Sequence, residues 1–236
     1  MSTQTLGIIM HGVTGRMGMN QHLIRSIVAI RKQGGATLSN GNKVMPDPIL
    51  IGRNAEKMEA LAKAHNIARW GTDLDAALAN KSDTVFFDAG TTQMRPTLLA
   101  KAIRAGKHVY CEKPLAVNTE ELKQIEQMLQ GENRPLLTVG FNRRFAPLAQ
   151  HLKAFVDTRH EPLYMHYRLN ANVLPKGHWL LDPEVGGGRI IGEACHFIDF
   201  LTFLVGESPV EVLTQGLPDG GVYSEDNVIM TFRFPD

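Results

Sequence analysis

Cysteine is scarce in this sequence, which has only Cys111 and Cys195 among its 236 residues. Two thiols outside a C-x-x-C pair cannot form the dense disulfide framework of small secreted domains. We therefore expect reduced thiols in a cytoplasmic protein. Histidines at H-x-x-x-H or H-E-x-x-H spacing are also missing, so we expect no metal site.

Long apolar runs and an excess of charge are missing as well. No stretch reaches the roughly 18 apolar residues that a membrane-spanning helix needs. The N-terminal segment MSTQTLGIIMHG has neither the basic region nor the apolar length of a signal peptide. The formal net charge is +1, so the composition gives no support for a nucleic-acid or membrane partner. A G-x-S-x-G nucleophile motif is absent too.

The first 140 residues alternate short apolar runs with amphipathic segments. The runs predict strands at LGIIMHG, PILIGR, TVFFDAG, HVYCEK and LLTVGF. The segments between them predict helices over Met17–Arg31, Ala55–His65, Pro96–Ala105 and Thr119–Gln130. Asn54 and either Asn118 or Thr119 are placed to cap helices, and Pro96 suits a first helical turn. This alternation predicts an α/β domain over residues 1–140, a Rossmann domain with a parallel sheet.

The pattern changes after Gly140. Helices are predicted over Ala146–Val156 and Ile190–Val205, and strands over Leu163–Asn172, Val210–Gly216 and Asn227–Phe234. Residues 141–236 therefore predict an α+β domain with a mostly antiparallel sheet. The last strand pattern ends without a helix to cover the sheet, so we expect this sheet to be incomplete.

A glycine-rich segment, HGVTGRMG, joins the first predicted strand to the first predicted helix. Glycines there let the backbone turn tightly and approach a pyrophosphate, which the helix N-terminus would bind. The spacing is G-x-x-G-x-x-G rather than G-x-G-x-x-G, and a tight turn without a ligand is the alternative. The strand before and the helix after favour a nucleotide site. Its predicted residues are Gly12, Thr14, Gly15, Arg16, Met17 and Gly18.

The end of the second predicted strand bears on the choice of dinucleotide. An NAD site usually has an acidic residue there, which binds the ribose hydroxyls. This chain has Arg53 and Asn54 instead, and an arginine suits a 2′-phosphate, so we predict NADP in preference to NAD. A solvated loop arginine is the alternative. Thr91 and Thr92 follow another strand and join the predicted cofactor site.

The segment AGKHVYCEKP, residues 105–114, ends a predicted strand with Glu112, Lys113 and Pro114. Ligands of open α/β sheets bind beyond the carboxyl ends of the strands. Lys113 is therefore placed to reach a substrate hydroxyl beside a nicotinamide, although a lysine that merely reaches water is the commoner case. An X-Pro bond at this turn can be cis.

The motif A-G-K-H-V-x-C-E-K-P resembles that of the glucose–fructose oxidoreductase/inositol dehydrogenase family (Gfo/Idh/MocA). The resemblance covers nearly the whole chain, including Asn142-Arg143-Arg144-Phe145 and the G-G-G…H-x-x-D segment. It implies a Rossmann domain, an α+β domain, and hydride transfer between NAD(P) and a hydroxyl or carbonyl carbon of a sugar, cyclitol or similar molecule. In the family the lysine of E-K-P, here Lys113, contacts substrate and nicotinamide. We assign Glu112 to the cofactor site.

Glu193, His196 and Asp199 lie three residues apart on one face of the long predicted helix. A carboxylate beside an imidazole fixes its tautomer and raises its basicity, as a general base requires. A histidine packed in the core is the alternative. By resemblance, His196 matches the family's catalytic histidine and Asp199 the acid that follows it. The family usually has an aspartate four residues before this histidine, where this chain has Gly192.

The predicted site for a sugar or polyol contains Lys113, Arg143, Trp179, Glu193 and His196. The resemblance also implies a homo-oligomer if the second domain is complete enough. A non-catalytic NADP-binding sensor or partner subunit is the alternative function, and the glycine at position 192 favours it. The glycine loop also resembles that of the dihydrodipicolinate reductases, whose paired-histidine motif is absent here.

Overall fold

The chain divides at Gly140. The computed structural model of the protein describes residues 2–131, 134–217 and 227–235, and it separates into the units Met1–Gly140 and Phe141–Asp236. Among the helices of these ranges, none has the length and apolar character needed to cross a membrane.

A seven-stranded sheet forms the centre of the first unit. Its strands are β1 (Thr3–His11), β2 (Ala36–Thr37), β3 (Lys43–Ile51), β4 (Arg69–Gly71), β5 (Asp83–Asp88), β6 (His108–Cys111) and β7 (Leu137–Val139). Their order is β2-β3-β1-β5-β6-β7, with β4 paired to β3. Every pairing is parallel except that of β2 with β3. The carboxyl ends of β3, β1, β5 and β6 therefore meet at one edge, as the Rossmann prediction requires.

Helices cover both faces of this sheet. Helix α1 has π-type hydrogen bonding over Met17–Val28 and α-type over Ala29–Lys32, and it is followed by α2 (Ala55–Ala64), α3 (Leu74–Ala79), α4 (Arg95–Arg104) and α5 (Thr119–Met128). Successive side chains of β1 point to opposite faces. Ile8 and Met10 pack in the cluster that contains Leu23 of α1, and Ile9 packs in the cluster that contains Leu99 of α4. Full burial of each such side chain contributes about 1.5–3 kcal/mol.

The predicted helix starts are confirmed by their caps. The Asn54 side chain accepts a hydrogen bond from the Lys57 N–H at 2.8 Å, and that of Asn118 accepts one from the Glu121 N–H at 2.9 Å. Pro96 lies in the first turn of α4. Helix α3 and strands β2 and β4 were not predicted, because elements this short do not complete a recognisable hydrophobic period.

The second unit has two longer helices, two short 3₁₀ helices (Asn142–Phe145 and Trp179–Leu181) and a pair of strands in its described residues. The longer helices and the strands are α6 (Pro147–Val156), α7 (π-type over Ile190–Ala194 and α-type over Cys195–Val205), β8 (Glu211–Gly216) and β9 (Val228–Arg233). β8 and β9 pair antiparallel. Helix α7 ends at Gly206, whose φ of 94° lies in the left-handed region that favours glycine at a C-cap.

The strand predicted over residues 163–172 is wrong. This segment has no regular structure, and its side chains are mostly exposed. Alternating side chains make a strand only where a neighbour satisfies the backbone N–H and C=O groups. In the described part of the second unit, β8 and β9 pair only with each other. The sheet described there is therefore antiparallel but only two strands wide.

Candidate active site

Two glycines shape the loop that joins β1 to α1. Gly12 has a φ of 78°, and a Cβ there would lie 2.3 Å from the carbonyl carbon of Ala89. A Cβ on Gly18 would lie 2.3 Å from the carbonyl oxygen of Gly12. The Gly15 N–H donates to that same oxygen at 3.1 Å. Glycine is therefore required at positions 12 and 18 for the turn to close.

The tip of this loop suits an anion. Thr14, Gly15, Arg16 and Met17 are exposed, whereas Val13 is buried beneath them. The first turn of α1 contains no acidic residue, and no side chain caps its N-terminus. The N–H groups of a helix N-terminus bind negative charge, so a pyrophosphate fits these residues.

Arg53 lies at the same edge of the sheet as the glycine loop. It follows β3, whose last residue, Ile51, is in register with His11 of β1. Arg53 is exposed. The neighbouring Asn54 uses its side-chain oxygen to cap α2, so its side chain holds the helix in place. Its assignment to the cofactor site remains a prediction.

A buried ion pair lies where β5 ends. Asp88 is fully buried, and its Oδ1 lies 2.9 Å from both His11 Nδ1 and the Gly90 N–H. Its Oδ2 accepts a hydrogen bond from Arg95 Nε at 2.9 Å. Burial raises the pKa of Asp88, but the hydrogen bond with His11 and the charge of Arg95 more than offset this and hold that pKa below its ordinary value. The carboxylate is therefore charged at neutral pH.

Arg95 connects this carboxylate to the turn that contains Lys113. Its side chain is only 1% exposed. It donates to the carbonyl of Gly90 at 3.1 Å and to the carbonyl of Pro114. Pro114 follows Lys113 directly, and the peptide bond between them is cis. One guanidinium thus joins the loop after β5 to the turn after β6.

Glu112 is held by a residue of helix α1. Its Oε1 lies 2.5 Å from His22 Nε2, and its Oε2 accepts the Lys113 N–H at 3.2 Å. Burial raises the pKa of Glu112, but its contacts with His22 outweigh burial, so that pKa lies below its ordinary value. His22 packs against Phe87 and Tyr110, with ring centroids 4.7 and 5.9 Å away. Glu112 was predicted to bind cofactor, and in the structure both its oxygens have protein partners.

Four residues of these contacts were not predicted as part of the site: His11, His22, Asp88 and Arg95. An acidic residue at the end of an apolar strand, as in TVFFD, was the available clue. The two predicted threonines that follow this strand differ in exposure, since Thr91 is exposed and Thr92 is buried. Their roles at a cofactor remain predictions.

Both acids that flank His196 on α7 form ion pairs with arginines. Arg189 Nη1 lies 2.6 Å from Glu193 Oε2. Arg144 binds both oxygens of Asp199, with its Nε at 3.1 Å from one of them. The sequence predicted a carboxylate that orients the imidazole of His196. In the structure a guanidinium compensates the charge of each carboxylate, and the catalytic roles of His196 and Asp199 remain predictions.

Gly192 occupies the position where the family usually has an aspartate. It is buried, and a Cβ there would lie 2.3 Å from Leu180 Cδ1 and 3.2 Å from the carbonyl oxygen of Gly186. Gly186 packs closely on the same residue, since a Cβ there would lie 2.4 Å from the Leu180 Cα. An aspartate at position 192 would therefore require Leu180 and the loop beneath it to move.

Arg143 and Trp179, which were predicted to bind substrate, both lie beside aromatic rings. The Arg143 guanidinium lies 4.8 Å from the ring centroid of Phe197, against which Tyr167 stacks at 4.9 Å. Trp179 is 57% exposed, and its ring lies 5.7 Å from that of His178. Arginine and aromatic surfaces suit a hydroxyl-rich ligand, so these two assignments remain predictions that the geometry permits.

Two observations concern metal and thiol chemistry. In residues 2–131, 134–217 and 227–235, no group of three or more His, Cys, Asp or Glu side chains could hold a metal ion. Burial raises the pKa of the Cys111 thiol to about 12. A thiol that stays protonated is a poor nucleophile.

Comparison with protein families identifies the chain. Residues 12–141 match the oxidoreductase family with an NAD-binding Rossmann fold, and residues 160–236 match the GFO/IDH/MocA C-terminal domain. The chain therefore belongs to the Gfo/Idh/MocA oxidoreductase family, and the predicted resemblance is confirmed.

Individual relatives include sugar-converting enzymes. A D-xylose dehydrogenase from Paenarthrobacter nicotinovorans is 35% identical over 215 residues, which are 87% of this chain and 55% of the relative. A 1,5-anhydro-D-fructose reductase from Ensifer adhaerens is 29% identical over 220 residues, 88% of this chain and 61% of the relative. This chain therefore spans little more than half of the length of the curated relatives it matches.

Solved structures share the fold. A levoglucosan dehydrogenase in complex with NADH and levoglucosan has a TM-score of 0.73 at 21% identity, over 98% of this chain and 64% of the other. An oxidoreductase domain protein from Kribbella flavida has a TM-score of 0.74 at 22% identity, over 98% and 66%. The predicted combination of a Rossmann sheet with a second, antiparallel sheet is thus confirmed.

The glycine loop gives a direct prediction for stability. Gly12→Ala should lower the free energy of unfolding by ~1–3 kcal/mol, since the added Cβ meets backbone at a positive φ. Gly15→Ala is the matched control, because a Cβ there meets only one atom, at 3.4 Å. Urea unfolding followed by circular dichroism measures both. Equal losses for the two variants would contradict the described turn.

The Asp88 network gives a prediction for pH. A carboxyl group whose pKa is lowered by folding stabilises the protein above its unfolded pKa, and this contribution disappears as the pH falls through the folded pKa. The difference in free energy of unfolding between the wild type and Asp88→Asn should therefore be largest at neutral pH. It should shrink as the pH falls below 3.8, the ordinary pKa of an aspartate. Urea unfolding from neutral pH to about pH 3 measures it. A difference that stays constant over this range would show that Asp88 has no lowered pKa.

Proposed function

We propose that the chain is an NAD(P)-dependent oxidoreductase that transfers a hydride between the nicotinamide and a hydroxyl or carbonyl carbon of a sugar, cyclitol or related small molecule. The observation that carries this proposal is the placement of Lys113. It follows β6 at the sheet edge where the glycine loop also lies, in a turn held on one side by the partly buried pair of His22 and Glu112 and on the other by the buried Arg95. Ligands of such sheets bind at this edge. The family membership and the sugar-converting relatives support the substrate class.

NADP is the proposed preferred cofactor, with NAD as the second choice. The exposed tip of the glycine loop and the N-terminus of α1 would hold the pyrophosphate. Arg53 would bind the 2′-phosphate, since it takes the place of the acidic residue typical of NAD sites. When bound, the nicotinamide supplies the hydride acceptor or donor.

Residues of the chain are proposed to transfer the proton, to stabilise the developing charge and to bind the substrate. Lys113 donates a hydrogen bond to the substrate oxygen and stabilises the negative charge that develops there. His196 is the proposed general base for a substrate hydroxyl, and Asp199 and Glu193 surround it with charges that the arginines compensate. Arg143 and Trp179 are proposed to bind substrate hydroxyls and carbon faces. A homo-oligomer remains a prediction.

A second candidate function is an NADP-binding sensor or partner subunit without catalysis. The tightly packed glycine at position 192 favours it, because the family usually has an acid there. The two candidates differ in turnover but share cofactor binding.

Arg53 tests the cofactor assignment. Arg53→Ala should raise the Kd for NADPH about tenfold or more and leave the Kd for NADH within about twofold, because a charged hydrogen bond to phosphate contributes about 1.5–3 kcal/mol. Cofactor fluorescence measures both constants. Arg104→Ala removes another exposed arginine and should change neither. A wild-type chain that prefers NADH, or an Arg53→Ala variant that weakens both cofactors equally, would contradict the assignment.

Lys113 tests the chemistry. Lys113→Ala should lower turnover about 100-fold or more, as loss of one donor to a developing oxyanion does elsewhere. NADPH binding should stay within about threefold, because the pyrophosphate contacts are untouched. Absorbance at the nicotinamide band measures turnover with D-xylose, 1,5-anhydro-D-fructose, levoglucosan and myo-inositol, each in the direction its oxidation state allows. Lys101→Ala, on an exposed helix face, is the control.

The outcomes separate the two candidate functions. Unchanged turnover in Lys113→Ala would remove Lys113 from the mechanism. Tight cofactor binding without turnover of any sugar or polyol would favour the sensor.

A further inference from the structure

The turn formed by Glu112, Lys113 and Pro114 is anchored on both sides of Lys113. On its N-terminal side, the Glu112 carboxylate is bound by His22 at 2.5 Å. On its C-terminal side, the Pro114 carbonyl accepts a hydrogen bond from Arg95. The turn therefore has a separate anchor before and after the lysine.

The two anchors come from opposite faces of the sheet. His22 belongs to α1, whose Leu23 packs with Met10 of β1. Arg95 is the first residue of α4, whose Leu99 packs with the neighbouring strand residue Ile9. Because adjacent residues of a strand point to opposite faces, α1 and α4 cover different sides of β1.

We propose that His22 and Arg95 are positioning residues that fix the direction of the Lys113 side chain. This inference rests on the proposed role of Lys113 as the group that contacts the substrate oxygen. Neither residue touches substrate in this proposal. Each acts through the backbone on one side of the lysine.

The hydrogen bonds leave the Lys113 backbone little freedom. Its own N–H donates to Glu112 Oε2 at 3.2 Å, and the carbonyl of the next residue is bound by Arg95. Ordering a backbone residue costs conformational entropy, and these contacts have already offset that cost before a ligand arrives. A displacement of about 1 Å at a reacting group can lower the rate about 100-fold. Hydrogen bonds that fix the Lys113 backbone would therefore favour catalysis.

The burial of a charged pair at this position indicates that Arg95 positions the Lys113 turn and does not only stabilise the fold. Arg95 and Asp88 are almost fully buried, and apolar side chains of similar volume often serve stability equally well or better than a buried ion pair. An apolar pair could not bind the carbonyls of Gly90 and Pro114. Directed hydrogen bonds are what the buried guanidinium adds.

The same network reaches the glycine loop. His11, which contacts Asp88 at 2.9 Å, directly precedes Gly12. Gly12 in turn lies against the backbone of Ala89, between Asp88 and Gly90. The loop proposed to hold the pyrophosphate and the turn that carries Lys113 are therefore joined through Asp88 and Arg95.

The test follows the Lys113 amine directly. Lysine amines are labelled by reductive ¹³C-methylation, and the Lys113 signal is assigned by its loss in Lys113→Arg. In Arg95→Met and in His22→Leu, we expect this signal to move toward that of the exposed Lys101. His22→Gln keeps a donor for Glu112 and should restore the wild-type signal. Where the protein turns over a sugar, kcat of Arg95→Met and of His22→Leu should fall about 100-fold. The Kd for NADPH should stay within about threefold in His22→Leu, which leaves the link between Arg95, Asp88 and the glycine loop intact.

Arg69→Met is the matched control for Arg95→Met. Arg69 also binds a buried aspartate, since its guanidinium donates to Asp83 at 2.7 and 2.9 Å. Asp83 and Asp88 are the first and last residues of β5, so the control disturbs the opposite end of the same strand. It should destabilise the fold without moving the Lys113 signal.

Each outcome supports or overturns the inference. If Arg69→Met shifts the Lys113 signal and lowers kcat as much as Arg95→Met and His22→Leu do, both residues are structural and the proposal is overturned. Should Arg95→Met not fold, His22→Leu and its rescue by His22→Gln test the proposal through the same measurements. Turnover that persists in Lys113→Ala contradicts the proposed role of Lys113 instead, and the labelling experiment still shows whether His22 and Arg95 fix the lysine.

Discussion

The buried ion pair between Asp88 and Arg95 is the interaction on which the candidate site depends. Its two charges lie where β5 ends, with almost no exposure to solvent. Breaking such a pair by removing one partner costs about 3–5 kcal/mol, because the other charge stays buried. The contacts of Asp88 and Arg95 therefore hold the loop after β5, the end of β1 and the turn after β6 together. Three strand ends that are distant in sequence acquire a defined arrangement at the edge where ligands of this fold bind.

Most of the first unit could be predicted from sequence, because the signals for its strands and helices lie within the elements themselves or a few residues away. Ile8, Ile9 and Met10 form a continuous apolar run, as a strand buried on both faces requires. Asn54 and Asn118 mark helix starts through hydrogen bonds to residues three positions away. The segment 163–172 shows the limit of this reasoning. Its alternation is that of a strand, yet a strand exists only through a partner, and local sequence does not specify the partner.

The candidate site divides in the same way. The glycine loop could be predicted from its spacing and its place between a strand and a helix, and Gly18 packs against the carbonyl of Gly12 six residues before it. The packing of Gly12 on the backbone of Ala89 is a long-range contact that local sequence does not specify. The contacts that hold Lys113 could not be predicted either, because His22 and Glu112 are ninety residues apart and meet only after β1, β5 and β6 take their register. The acids on α7 were predicted to serve His196. They form ion pairs with Arg144 and Arg189, which helical spacing alone could not indicate, and their role beside His196 remains a prediction.

The proposed function requires this sheet edge to bring Lys113 to a bound nicotinamide, and a crystal structure of the protein soaked with NADPH would show whether it does. We expect a pyrophosphate against residues 14–17 at the start of α1, a 2′-phosphate beside Arg53, and a nicotinamide ring within contact distance of the Lys113 amine. A cofactor bound at this loop with its nicotinamide turned away from Lys113, or bound at a different edge, would contradict it.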